Sequence, residues 1–242
     1  MDTLGYGVCR LSVVAVRQTP EAQAPLVTQL LFGDHYEVLA VPDSKQWIYI
    51  RMHFDGVEGW ISSEQHHGIT QEYFDQINHA NFKITTDLTS NILYKKSPLT
   101  ILMGSIVPIS NSELFKMEEQ FAFNGEAKSL GQKRDGEFVK AIACKLINAP
   151  ELPGGRTPFG IDTAGFIQLV FKIAGYSLPR NLDLMREKSI EQPEVGDVIV
   201  FGNSDKMGIW LEENKYIHVQ GRVRIDTWEP VVKKETRFLR IL

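Results

Sequence analysis

The chain has little of several features that mark particular classes of protein. It contains only two cysteines among 242 residues, which excludes a disulfide framework and a cysteine metal cluster. Lysine and arginine together number 26, against 30 aspartate and glutamate residues, so the formal net charge is -4. A nucleic-acid-binding domain has a concentrated basic face instead. We therefore predict no nucleic-acid partner.

Long hydrophobic runs are also missing. The best apolar run near the N-terminus covers only residues 13–16, which is too short for a signal peptide or a membrane span. We therefore expect a cytoplasmic protein without a transmembrane segment. With 43% hydrophobic and 23% charged residues, the chain can still bury ordinary hydrophobic cores. Its length favours roughly two or three domains.

Residues 1–75 show the pattern of a small β domain. Strands are predicted at 9–17, 27–31, 35–41, 47–52 and 58–61, because short alternating segments are separated there by turn residues. The runs VRQTP at 16–20, LLFGDHYEVLA at 30–40 and GVEGWI at 56–61 resemble those of a bacterial SH3-like domain. Trp47 and Trp60 would supply much of the apolar area that so small a core needs.

The next segment is predicted to hold a polar connector at residues 65–78 and a second β-rich domain within residues 76–133. The neighbouring His66 and His67 would point in different directions, which favours a solvated loop over a metal site. Asn124 and Gly125 follow an alternating run and indicate a hairpin. Strand rhythm alone suggests a degenerate SH3-like domain here, and no metal or cofactor is predicted anywhere in the chain.

From residue 134 the hydrophobic period changes from that of strands to that of helices. Apolar residues recur at helical spacing over 138–147, with Asp135 as the predicted N-cap. A second helix is predicted at 164–174, ending at Gly175. Strands are then predicted at 198–202, 207–212, 216–220, 222–226 and 237–242. Residues 134–242 are therefore predicted to form an α+β domain.

Four motifs in this last domain resemble the NlpC family of cell-wall cysteine peptidases. They are GGRTPFGID at 154–162, LPR at 178–180, PEVGD at 193–197 and IHVQGRVRID at 217–226, and they occur in family order. With its SH3-like part, the whole chain is similar to the γ-D-glutamyl-L-diamino acid endopeptidases of that family. The resemblance implies a multidomain α+β protein, in which SH3-like β-barrel domains precede a papain-like, NlpC-type α+β domain.

The catalytic positions implied by the resemblance depart from the family pattern. Thr163 stands where the family has its nucleophilic cysteine, and Lys206 stands where it has its histidine base. His218 matches the third polar residue, which orients that base. On the residues alone, Thr163 is most simply an N-cap or first-turn residue of the second helix.

The resemblance also implies candidate ligand-binding positions. Glu151 lies where the family has an aromatic residue before the double glycine, and Asn181 lies where it has the acid that holds the free amine of the substrate. Arg156 and Asp162 lie beside the nucleophile position. From the residues themselves, Arg156 could tie down the loop and Asp162 could cap the helix.

Three functions are consistent with this pattern. Loss concentrated at the chemistry, with the motifs between intact, predicts a catalytically inactive homologue that binds murein-derived peptides or a protein partner. The alternative is an active hydrolase of γ-D-Glu-diamino acid peptides, rebuilt around Thr163, Lys206 and His218. It would need an alcohol nucleophile, which is poorer than a thiol at neutral pH, and a desolvated lysine base. A purely structural module is the third.

Overall fold

The computed structural model describes residues 2–79, 82–107, 121–180, 189–202, 206–229 and 236–242. The chain forms two compact units, Met1–Gly131 and Gln132–Leu242. Both β-rich segments predicted from the sequence belong to the first unit, and their separation into domains 1–75 and 76–133 stays a prediction. The change of period near residue 134 coincides with the start of the second unit.

Seven strands of the first unit form one antiparallel sheet in the order β3-β2-β6-β5-β4-β1-β7. They are β1 (Gly5–Val8), β2 (Val13–Arg17), β3 (Leu26–Leu31), β4 (His35–Ala40), β5 (Trp47–Met52), β6 (Glu58–Ser62) and β7 (Gly68–Ile69). The strands predicted between residues 27 and 61 are confirmed to within a residue at each end. Strand β1 was missed because glycine is depleted in strands. A Cβ atom at Gly7 would lie 2.4 Å from the ring of Tyr36, so the packing of that ring requires the glycine.

The predicted polar connector at 65–78 is wrong, because this segment contains helix α1 (Gln71–His79). The helix buries Phe74 and Ile77, which are three residues apart and therefore share a face. His66 is not in a solvated loop either, since its Nδ1 lies 3.0 Å from the hydroxyl of the buried Tyr36. Ile69 and Tyr73 pack in the same cluster as Ile77, and these few apolar residues in a polar segment were too weak a signal for the helix to be predicted.

The rest of the first unit contains two three-stranded sheets, with the orders β10-β9-β12 and β11-β8-β13. The strands are β8 (Lys83–Thr85), β9 (Thr89–Tyr94), β10 (Ser97–Leu102), β11 (Ile106–Val107), β12 (Phe121–Asn124) and β13 (Ala127–Ser129). The hairpin predicted at Asn124 and Gly125 is wrong, because β12 pairs with β9 and β13 pairs with β8. The glycine serves a close approach instead, since a Cβ atom there would lie 2.4 Å from Oγ of Ser90.

In its described residues, the second unit combines two helices with a five-stranded antiparallel sheet in the order β19-β18-β17-β16-β20. Helix α2 (Gly136–Lys145) is followed by the short strands β14 (Arg156–Thr157) and β15 (Gly160–Ile161), and then by helix α3 (Thr163–Ala174). The sheet strands are β16 (Val198–Phe201), β17 (Met207–Trp210), β18 (Lys215–Gln220), β19 (Arg222–Thr227) and β20 (Thr236–Leu239). The predicted α+β organisation is thus confirmed.

Helix α3 is the centre of the second unit. It contacts α2 on one side and β17 and β18 on another, and every residue from Gly165 to Ala174 is buried. As predicted, it ends at Gly175, which adopts the left-handed conformation with φ 93°. None of the helices in the described ranges is long and apolar enough to cross a membrane.

Candidate functional site

The hairpin of β14 and β15 lies directly against the start of helix α3. A Cβ atom added to Gly165 would be 2.2 Å from the carbonyl oxygen of Gly155, and one added to Gly155 would be 2.4 Å from that of Gly160. The loop and the helix therefore meet backbone to backbone, an approach that only glycine permits. This contact fixes where the first residue of α3 stands.

Asp162 organises the loop through both oxygens of its carboxylate. Oδ1 accepts a hydrogen bond from the backbone N–H of Gly165 at 2.7 Å, which caps α3. Oδ2 accepts from the N–H of Gly154 at 2.7 Å and from Nη2 of Arg180 at 2.6 Å. The side chain of Arg180 is only 9% exposed, so the pair is largely withdrawn from water. Asp162 thus holds the double-glycine loop, the LPR segment and the helix start together.

Thr163 is the first residue of α3, immediately after the N-cap. The prediction of a first-turn residue is therefore confirmed. Its side chain is half-buried, and no described residue hydrogen-bonds to its hydroxyl. A serine or threonine acts as a nucleophile only when a neighbouring base removes its proton. Thr163 has the position of a nucleophile without a base bonded to it in the described part of the chain.

Lys206 directly precedes β17 and is exposed. Its carbonyl oxygen accepts a hydrogen bond from the N–H of Phe201 at 3.0 Å, which closes the turn between β16 and β17. A lysine that serves as a base is normally one withdrawn from water, because desolvation disfavours the ammonium form. The exposure of Lys206 is that of a solvated turn residue.

His218 lies on β18 and is bonded to an acidic partner. Its Nε2 is 2.9 Å from Oδ2 of Asp226 on β19, and the ring of Tyr216 packs beside the imidazole with the centroids 4.8 Å apart. Burial would raise the pKa of the Asp226 carboxyl, but hydrogen bonds from Arg224 and His218 outweigh it and lower that pKa. The carboxylate is therefore ionised at neutral pH. Strand β18 thus carries an imidazole supported by a carboxylate, and among the described hydrogen bonds none joins it to Thr163.

Asp226 and Arg224 were not predicted as site residues, although both lie in the motif IHVQGRVRID. The hairpin register places His218 opposite Arg224 and Tyr216 opposite Asp226. Because residues two apart on a strand share a face, all four side chains lie on one face of the sheet. Residues on either side of Gly221 alternate between the two faces of the hairpin, and this pattern in the sequence could have predicted the cluster of four side chains.

The remaining candidate ligand-binding positions are Glu151, Arg156 and Asn181, and they differ in exposure and in hydrogen bonding. The carboxylate of Glu151 accepts a hydrogen bond from the N–H of Gly221 at 2.6 Å, so it ties the loop before the double glycine to the turn between β18 and β19. Arg156 is only 1% exposed, and a ligand would have to reach it inside the fold. Asn181 lies outside the described residues. A ligand contact by any of the three stays a prediction.

Two family models match the sequence, one in each unit. Residues 16–65 match the bacterial dipeptidyl-peptidase SH3 domain, and residues 152–239 match the NlpC/P60 family. Among curated proteins, the chain is similar to a γ-D-glutamyl-L-lysine dipeptidyl-peptidase of Bacillus subtilis, with 23% identity over 79% of this chain and 71% of the relative. It is also similar to dipeptidyl-peptidase 6 of Lysinibacillus sphaericus, with 22% identity over 82% of both chains.

Solved structures show the same fold. An NlpC/P60 family protein from Bacillus cereus superposes with a TM-score of 0.82 at 16% identity, covering 98% of this chain and 99% of that one. An NlpC/P60 endopeptidase from Photobacterium damselae gives a TM-score of 0.67 at 14% identity, covering 98% of this chain and 70% of that one. Residues 16–65 therefore match the bacterial dipeptidyl-peptidase SH3 domain, residues 152–239 match the NlpC/P60 family, and the fold is that of a solved NlpC/P60 family protein.

Proposed function

We propose that this protein is a catalytically inactive NlpC/P60-type protein that binds murein-derived peptides without cleaving them. The observation that carries the proposal is the state of Thr163. It stands at the head of α3, where the resemblance implies a cysteine, and no described residue bonds to its hydroxyl. The N-terminus of a helix can stabilise a thiolate at neutral pH, whereas an alcohol ionises far outside that range.

The hydrogen bonds of the loop around Thr163 support a retained binding function over a site without any function. Asp162 still caps α3, still bonds the N–H of Gly154 and still pairs with Arg180. A fold that had lost all function would be free to lose these interactions as well as the nucleophile. Because these contacts are present and no cysteine stands at position 163, we propose that the site at the start of α3 holds a ligand.

The relatives suggest the class of ligand. Two of them are named γ-D-glutamyl-L-lysine dipeptidyl-peptidases, so we propose peptides that contain a γ-D-Glu-L-Lys bond. A protein partner is the second candidate ligand. The alternative of an active hydrolase built on Thr163, Lys206 and His218 is favoured by one observation, the imidazole backed by Asp226.

A direct test uses the full chain and the tripeptide L-Ala-γ-D-Glu-L-Lys. We expect calorimetry to show binding and mass spectrometry to show no release of L-Ala-γ-D-Glu. Turnover that is lost in Thr163→Ala would refute the inactive assignment and establish the alternative. Absence of heat at about millimolar peptide, where even weak complexes with a free energy of about -4 kcal/mol are half-formed, would refute the peptide ligand.

A gain-of-function variant tests the same idea from the other side. Thr163→Cys combined with Lys206→His restores the two residue types that the resemblance implies, on a loop in which the contacts of Asp162 are in place. We expect weak cleavage of the tripeptide by this double variant and none by Thr163→Cys alone, because the helix N-terminus can stabilise the thiolate but supplies no histidine to protonate the departing amine. Equal activity of the two variants would show that Lys206 does not occupy the position of the base.

A further inference from the structure

The imidazole of His218 is held by a pair of charged groups on the neighbouring strand. Arg224 donates from Nε to Oδ1 of Asp226 at 3.0 Å, and from Nη2 to Oδ1 and Oδ2 at 2.8 and 2.7 Å. Oδ2 is also the atom that lies 2.9 Å from Nε2 of His218. The guanidinium thus fixes the plane of the carboxylate, and the carboxylate fixes one edge of the imidazole.

The chemistry of the carboxylate decides which nitrogen of His218 carries the proton. An ionised carboxylate can only accept hydrogen bonds, so Nε2 must be the donor. A neutral imidazole has a single N–H, and Nδ1 is then left with a free lone pair. No described residue hydrogen-bonds to Nδ1, and the His218 side chain is 12% exposed.

Strand β17, which pairs with β18 on the side opposite β19, leaves room for the side chains of His218 and Tyr216. His218 pairs with Gly208 on β17. A Cβ atom at Gly208 would lie 3.1 Å from Cβ of His218 and 3.1 Å from Cδ2 of Tyr216. That Cβ atom would also lie 2.7 Å from the carbonyl oxygen of Ile217, so the glycine leaves room for the backbone of β18 and for both side chains.

We propose that Asp226, fixed by Arg224, is a positioning residue that holds His218 as the Nε2–H tautomer and presents Nδ1 as the acceptor for an N–H group of a bound peptide. The assignment of the Nε2–H tautomer depends only on the hydrogen bonds among His218, Asp226 and Arg224. The ligand contact rests on the proposed peptide-binding function. Peptides offer donors of the required kind in their amide N–H groups and in the ammonium of lysine.

The substitution Asp226→Asn provides a test with a predictable sign. An asparagine has one acceptor oxygen, and Arg224 can only donate, so the oxygen should face Arg224 and the NH2 group should face His218. Nε2 would then have to accept, and the proton would move to Nδ1.

Nitrogen chemical shifts of 15N-labelled protein report the tautomer directly. Spectra are recorded at about pH 8, above the ordinary imidazole pKa of about 6.5, with His218→Gln to assign the signals. We expect Nε2–H in the parent protein, Nδ1–H in Asp226→Asn and no change in Arg222→Gln, the matched control on the same strand. Nδ1–H in the parent protein, or an unchanged tautomer in Asp226→Asn, would overturn the positioning role.

Calorimetry with L-Ala-γ-D-Glu-L-Lys tests the ligand contact separately. Asp226→Asn should weaken binding by about three- to tenfold, because one hydrogen bond to the ligand is lost, and Arg222→Gln should leave it unchanged. Unchanged binding in Asp226→Asn would overturn the contact at Nδ1 and leave the proposed function standing. If the parent protein binds no peptide, the contact falls with the proposed function, while the spectra still decide the tautomer.

Discussion

Asp162→Asn tests whether the loop before α3 is organised by one carboxylate. The chain provides a matched control in Asp135→Asn, since Asp135 caps α2 as Asp162 caps α3. Asp135 accepts a single hydrogen bond, from the N–H of Phe138 at 3.0 Å. Asp162 accepts one capping bond and two further bonds at Oδ2. The chemical change and the position on the helix are the same, whereas Asp162 makes the extra bonds and is less exposed than Asp135.

The magnitudes follow from those bonds. At Asp135, asparagine is an equally good N-cap and only the attraction of the charge to the helix dipole is lost, which amounts to about 0.3–1 kcal/mol. At Asp162, an amide NH2 group at the position of Oδ2 would face two donors, Gly154 N–H and Arg180. Losing a charged partner at a site this buried should lower the free energy of unfolding by about 3 kcal/mol in total.

Both helices belong to the second unit, so one measurement reports on both substitutions. Hydrogen exchange of peptides from α2 and α3, followed by mass spectrometry at increasing urea concentration, gives the free energy of unfolding of that unit. We expect the loss for Asp162→Asn to exceed that for Asp135→Asn by about 2 kcal/mol. Equal losses would refute the view that Oδ2 of Asp162 holds the loop and Arg180 in place.

Two further predictions concern close packing and pH. Gly165→Ala should destabilise the second unit by about 1–3 kcal/mol, because the added Cβ atom would meet the carbonyl oxygen of Gly155. Without that contact, alanine would instead stabilise a helix by about 1 kcal/mol relative to glycine. Urea unfolding followed on peptides of the second unit checks the sign, and a stabilised Gly165→Ala would contradict the backbone contact. Burial lowers the pKa of His53, opposed by Glu37, and burial and then His67 lower the pKa of His66. The contribution of these histidines to the stability of the first unit should therefore be complete above the unfolded histidine pKa of about 6.5 and be lost as the pH falls toward the lower folded values. The urea midpoint of hydrogen exchange, measured on peptides of that unit, should fall on acidification. An unchanged midpoint would show that neither histidine is buried in its neutral form.

Local patterns made the second unit predictable. The helices α2 and α3 were predicted because their apolar residues recur at helical spacing. In addition, Asp135 caps the start of α2, and Gly175 adopts the left-handed conformation that ends α3. The sheet strands were found by alternation. In the first unit, α1 and β1 were not predicted. Phe74 packs on the ring of Tyr6, and Gly7 makes room for the ring of Tyr36, and neither contact can be seen in the local sequence.

The sequence by itself determined the order of strands and helices in the second unit, the loop GGRTPFGID before α3, and the presence of Thr163 and Lys206 where the resemblance implies a nucleophile and a base. These properties reside in residue type and spacing along the chain. Only the tertiary structure decided what surrounds them. Asp226 reaches His218 because the register of a hairpin places them on one face, and Asp162 pairs with Arg180 because a loop returns to the start of a helix. Alternation could indicate that His218 and Asp226 share a face, but the hydrogen bonds themselves depend on how strands pair and chains turn, which the spacing of residue types does not fix.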